Sequence, residues 1–98
     1  MDLFVINSWE DLDAALDAGD LDITNVIFGK IKKGVSRNFK RVKIFSVTLV
    51  DEPEYSYDWY LEKKEYSKAL NNCLEVYEEK EMYEECAEIM RMLQVLPK

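Results

Sequence analysis

The chain opens with an unbroken apolar run, Leu3, Phe4, Val5 and Ile6, within residues 2–7. A run this short, bounded by Asp2 and Asn7, reads as a strand covered on both faces. Ser8 then stands as a helix N-cap, with Glu10 and Asp11 in the first turn, where carboxylates complement the helix dipole. Trp9, Leu12, Ala15 and Leu16 recur at helical spacing while Asp13 and Asp17 fall on the other side. Gly19 supplies the stop, so a short helix is predicted over 8–18.

Residues 23–33 (ITNVIFGKIKK) and 42–50 (VKIFSVTLV) are rich in β-branched side chains and read as strands, with GVSRNF as the hairpin loop between them. Residues 55–63 (YSYDWYLEK) alternate: Tyr55, Tyr57, Trp59 and Leu61 share one face, and Ser56, Asp58, Tyr60 and Glu62 the other. A helix beginning near Tyr57 competes with this third strand. DEPE at 51–54 reads as a charged turn around Pro53. Together these segments predict a three-stranded antiparallel meander over 23–63.

The last third has a 3.6-residue period. Tyr66, Ala69, Leu70, Cys73, Leu74 and Tyr77 form one apolar face, and Met82, Tyr83, Cys86, Ala87, Met90 and Leu93 a second, with a break in EEKE at 78–81. The two segments also align with each other at a spacing of seventeen residues, Tyr66 over Tyr83 and Cys73 over Met90. The predicted fold is therefore α+β in a single domain, 1–98. A β-rich part with one helix (1–63) precedes a helical hairpin (64–98) packed on the sheet. The spacing of Tyr77, Tyr83, Cys86 and Met90, with Pro97 beyond, resembles that of a tetratricopeptide helix pair over about forty residues. Leu74 and Glu81 stand where that family has glycine and a single unit fits, so the resemblance implies hairpin packing, and no peptide-binding residues are carried over.

Charge adds a separate pattern. The 98-residue chain has a formal net charge of −7, yet it is divided into blocks. Residues 1–29 carry −7 with no base, residues 30–43 (KIKKGVSRNFKRVK) carry +7 with no acid, and residues 44–98 carry −7. Hydrophobic content of 48% places the chain among globular domains. The absence of any apolar run near 18 residues predicts no membrane span. The acidic N-terminal stretch lacks signal-peptide character. Cys73 and Cys86 fit buried thiols better than a disulfide framework. The expected location is the cytoplasm, or the host cytoplasm if the chain is phage-encoded.

The sequence contains no histidine, which removes the commonest general base and transition-metal ligand. No Ser–His–Asp or Cys–His arrangement is possible, and the two cysteines form no CxxC pair. Glycines at 19, 29 and 34 form no phosphate-cradling loop, and Asp17, Asp20 and Asp22 lack calcium-loop spacing. The expectation is no catalytic residue, no metal and no cofactor.

Two binding readings remain. In the first, the chain is a non-enzymatic protein-binding module, a small acidic inhibitor whose carboxylates occupy a basic, nucleic-acid-handling surface of a target protein. The residues are Glu78, Glu79, Glu81, Glu84, Glu85 and Glu88, with Asp11, Asp13 and Asp17 as a second acidic face. Its composition is similar to that of phage counter-defence and bacterial immunity proteins, an analogy of composition rather than motif. In the second, a basic hairpin over 30–43 binds nucleic acid through Lys32, Lys33, Arg37, Phe39, Lys40 and Arg41. The opposed blocks also allow the basic segment to meet the acidic helices, within one chain or across a homodimer.

Overall fold

Strand β2 (Arg41–Leu49) is the middle of a three-stranded sheet. The computed structural model describes residues 3–96. Strand β1 (Leu3–Ile6) runs parallel to β2, from Leu3 opposite Ser46 to Ile6 opposite Leu49. Strand β3 (Glu52–Glu62) runs antiparallel, with Val42 opposite Leu61 and Phe45 opposite Trp59. The fold is α+β, but the sheet is mixed rather than an antiparallel meander. A parallel pair needs a crossover, and two helices supply it: α1 (Trp9–Asp17) and α2 (Leu21–Ser36). The first 63 residues thus hold two helices rather than one.

The segment read as the first meander strand, 23–33, lies inside α2. Its β-branched composition disfavours a helix by only a few tenths of a kcal/mol per residue. Helical spacing brings Ile23, Phe28, Ile31 and Gly34 to one buried face, and each large apolar side chain buried there contributes about 1.5–3 kcal/mol. Asp20 caps the helix: its Oδ1 accepts from the Ile23 N–H at 3.0 Å. With α2 a helix, the basic hairpin over 30–43 is instead a helix end, a loop and a strand start.

Strand β3 begins at Glu52, earlier than the predicted turn allows, and Pro53 sits within it. An edge strand tolerates a residue with no N–H. Residues 55–62 are strand as read, and the alternation holds over its last part, where Trp59 and Leu61 face the core and Tyr60 faces outward. Tyr55 and Tyr57, read on the same face as Trp59, are exposed, beside a register shift between Val47 and Leu49. Ile44 and Phe45 are both fully buried although adjacent, because a bulge between Lys43 and Phe45 shifts the register.

A 3-10 turn (Lys63–Glu65) leads into α3 (Tyr66–Glu79) and α4 (Tyr83–Val95), the predicted hairpin. Helix α2 lies on β2, α3 packs beside α2, and α4 packs on α3. All share one core with the sheet: Ile31, Ile44, Phe45, Tyr66, Leu70 and Ile89 are completely covered. The buried face of α4 is rotated from the predicted one. Cys86 and Ile89 are inside, whereas Tyr83 is 66% and Met90 56% exposed, so the seventeen-residue repeat does not carry over into burial.

Three helices end on the same device. Gly19, Asn38 and Glu81 adopt left-handed φ values of 69°, 55° and 56° after α1, α2 and α3. In each case the next amide reaches back over the turn, as in Asp20 N–H to Ala15 C=O, Phe39 N–H to Gly34 C=O and Met82 N–H to Tyr77 C=O. Gly19 does this against α3: a Cβ there would lie 3.0 Å from Val76 Cγ2.

A candidate acidic groove and a basic pole

That close approach of Gly19 to Val76 sets the geometry of one end of the molecule. It brings the α1–α2 corner beside the C-terminal half of α3. Between them opens a groove of about 1010 Å³. Ile23, Ile27, Trp59, Leu61, Ala69 and Val76 give it an apolar lining. Asp17, Asp20, Glu75, Glu78 and Glu79 stand around it, with Glu65 and one cation, Lys68, toward the α3 start. Among the described residues, no ion pair engages these carboxylates. The rim is therefore strongly negative beside an apolar surface.

The predicted acidic residues divide among different environments. Glu78 and Glu79 line the groove, and so does Asp17 from α1. Asp11 and Asp13 are exposed on α1 and do not line it. Glu81 forms the left-handed turn residue after α3. Glu84 and Glu85 occupy the first turn of α4, where they complement its dipole. Glu88 forms an ion pair with Lys32 of α2. The expected single array is thus not brought together, whereas Asp20 and Glu75 join the groove unforeseen. Asp20 stands three residues before Ile23, the spacing of an N-cap once 21–36 is a helix, and Glu75 lies three residues before Glu78. Neither signal locates the groove, which depends on the packing of the α1–α2 turn against Val76.

The cations gather mainly at the opposite end, where α2 finishes and β2 begins. Lys33 lies in the last turn of α2, Arg37 is its C-cap, and Lys40 is exposed in the following loop. Phe39 is 40% exposed, and its carbonyl accepts from the Tyr66 hydroxyl at 3.0 Å. Arg41 stacks over the Tyr60 ring at 4.0 Å on the uncovered sheet face. One further lysine, Lys63, arrives from far along the chain. The Lys63 N–H donates to the Lys40 carbonyl at 2.7 Å and its ammonium donates to Asn38 Oδ1 at 2.6 Å, whereas Lys64 next to it lies 3.7 Å from the Glu62 carboxylate. Lys32 is spent on Glu88 and does not join this pole. Helices α2 and α3 run antiparallel between the two ends, as Tyr77 touches Asn25 and Phe28 while Tyr66 touches Phe39 and Gly34.

On the uncovered sheet face the Ser46 hydroxyl donates to Asp58 Oδ1 at 2.6 Å, and Lys43 lies 3.5 Å away. That hydroxyl first, and then the ammonium, hold the Asp58 carboxyl below its ordinary range. Both cysteines are free and buried. Burial pushes the Cys73 thiol up to about 11 and shifts Cys86 in the same direction, which disfavours thiolate chemistry. Burial also raises the Tyr77 hydroxyl, which donates to Asn25 Oδ1 at 2.7 Å. Among the described residues, no group of three or more Asp, Glu or Cys side chains is arranged to hold a metal ion. Nor is any helix long and apolar enough to cross a membrane. Compared with protein-family models, curated proteins and solved structures, the chain matches none.

Proposed function

We propose that the chain is a non-enzymatic protein-binding module whose acidic end occupies a basic, nucleic-acid-handling surface on a target protein in the cytoplasm, and so inhibits it. The observation that supports this reading is the convergence of carboxylates from separate segments. Asp17 of α1, Asp20 before α2, and Glu75, Glu78 and Glu79 of α3 surround one groove of mixed polar and apolar lining. Like charges so gathered repel each other, a cost a fold can bear where an opposite charge meets them in the bound state. In this reading carboxylates take the places that phosphates take on the target.

The test is displacement. A protein captured from extract by the tagged chain should be released by duplex DNA or heparin, since both would compete for the same basic surface. Retention at saturating polyanion would count against phosphate imitation.

A second reading is favoured by one observation. Lys63 joins Arg37, Lys40 and Arg41 at the basic pole, beside the exposed rings of Phe39 and Tyr60. Such a surface supplies phosphate donors and stacking platforms for a nucleic acid. The overall charge of −7 works against it by repelling phosphate from the rest of the molecule. Arg37→Glu with Lys40→Glu should remove any salt-dependent affinity for short labelled RNA or DNA.

A further inference from the structure

We infer that the groove between the α1–α2 corner and α3 receives a basic amphipathic helix of a partner protein, an assignment that rests on reading the chain as an acidic protein-binding module. Three features specify this occupant. The groove floor is apolar, with Ile27, Trp59 and Val76 available to cover an apolar stripe. Acids beside that floor, Asp17 and Glu75, Glu78 and Glu79, require Lys or Arg flanking the stripe. The groove is lined chiefly by helical side chains, with only Trp59 and Leu61 from the sheet, so recognition proceeds by side-chain burial and not by addition of a strand.

An amphipathic helix presents this combination at i, i+3, i+4 and i+7, with its charged residues on the shoulders of the apolar stripe. A nucleic acid meets the same rim with repulsion, and an acidic or purely polar peptide leaves the floor uncovered. Helix α1 is suited to be an adjustable wall. Leu12 and Ala15 pack on the core and Trp9 on Tyr57, yet no residue of α1 is fully buried, and Leu16, which faces the groove, is 36% exposed.

The experiment uses the full chain with Trp9→Phe, so that Trp59 is the remaining tryptophan and its emission reports on the groove. Three synthetic peptides are titrated: a Leu/Lys amphipathic helix, the same pattern with Glu replacing Lys, and a scrambled Leu/Lys sequence of identical composition. The Leu/Lys helix should shift Trp59 emission and bind at least about tenfold more tightly than either control. Glu75→Gln, Glu78→Gln and Glu79→Gln together should weaken it by about tenfold and flatten its salt dependence. Ala69→Phe, which fills the groove without altering charge, should also weaken it. Thermal melts establish that each variant is folded, and the two kinds of variant act independently of one another.

Equal binding of the scrambled or acidic peptide overturns the inference, as does indifference to both sets of substitutions. If the basic helix fails to bind while polyanion-displaceable capture of a target persists, the groove assignment falls and the protein-binding reading stands. If capture is also lost from the reading, both fall.

Discussion

Lys32 of α2 and Glu88 of α4 form an ion pair, joining the basic block of the sequence to the acidic helix at its far end. The alternating charge blocks are therefore partly neutralised within one chain, where α2 lies close enough to α4 to bridge. The pair is partly exposed, with side-chain accessibilities of 56% and 29%, so its net worth is small, at most about 1 kcal/mol and screened by salt. Glu88→Lys should lower stability by up to about that amount, chiefly at low ionic strength. The exchanged pair, Lys32→Glu with Glu88→Lys, should recover most of it. Denaturant melts of the parent, Glu88→Lys, Lys32→Glu and the exchanged pair at two salt concentrations check this. No recovery in the exchanged pair would show that the contact is geometric only.

Two glycines of α2 should respond in opposite senses to alanine. At Gly34 a Cβ would lie 2.7 Å from Val42 Cγ1 and 2.8 Å from the Tyr66 hydroxyl oxygen. The hydroxyl is held by the Phe39 carbonyl and is not free to swing aside. Overpacking costs about 1–3 kcal/mol and exceeds the roughly 1 kcal/mol gained in helix propensity. At Gly29 no atom beyond the helix's own backbone and the adjacent residues lies within 4 Å of an added Cβ. Gly29→Ala should therefore stabilise by up to about 1 kcal/mol while Gly34→Ala destabilises. Urea denaturation separates the two outcomes.

Glu81 holds φ of 56° between α3 and α4, a conformation that costs a residue with a Cβ about 1–2 kcal/mol. Glycine removes that cost but loses about 0.5–1 kcal/mol of unfolded-state entropy. The turn amides at Glu81 and Met82 still reach Glu78 and Tyr77. Glu81→Gly should raise Tm by a few degrees, on the scale of about 4–8 °C per kcal/mol for a domain of this size. Glu81→Val should lower it. A rise with both would contradict the left-handed geometry.

Stability should also fall in alkali. Burial pushes the Cys73 thiol from 9.0 in an open chain to about 11 in the fold. The folded state thus binds the proton more tightly. The contribution is fully present below about pH 9 and is lost as pH rises toward 11. Tyr66, Tyr77 and Cys86 are shifted upward by the same cause and act in the same direction. In Cys73→Ala the decline between pH 9 and 11 should be shallower than in the parent, although its stability at pH 7 is lower. Parallel declines would contradict the assignment.

The legible parts of the fold were those with one dominant local signal. Ser8 accepts from the Asp11 N–H at 3.2 Å as an N-cap, Gly19 ends α1, and Trp59 and Tyr60 take opposite faces of β3. At 23–33 composition and period point in different directions. Ile23, Val26, Ile27 and Ile31 look β-prone one at a time, yet Ile23, Phe28, Ile31 and Gly34 make a helix face. Composition alone hides the crossover, and with it the parallel pairing of β1 with β2. It also turns a helix end into a hairpin. The α4 face is ambiguous in sequence because Tyr83 and Met90 are apolar enough to be internal, while Ile89 holds the buried position.

The acidic site was visible as residue type and invisible as a place. Glu78, Glu79 and Asp17 were singled out by charge density, but their meeting depends on a turn at Gly19 that packs on Val76, 57 positions along the chain. No local pattern encodes such a contact. Likewise Lys63 reads as a strand end, and only its pairing with Lys40 places it at the basic pole.

The central claim is that the acidic end, and not the basic pole, is the working surface. The most direct measurement is target capture from extract by three folded proteins in parallel: the parent, Glu75→Lys with Glu78→Lys and Glu79→Lys, and Arg37→Glu with Lys40→Glu. The parent and the basic-pole variant should retain the same polyanion-displaceable protein, and the acidic-end variant should retain none. Capture that survives reversal of the acids and disappears on reversal of Arg37 and Lys40 would contradict the account and move the working surface to the opposite end.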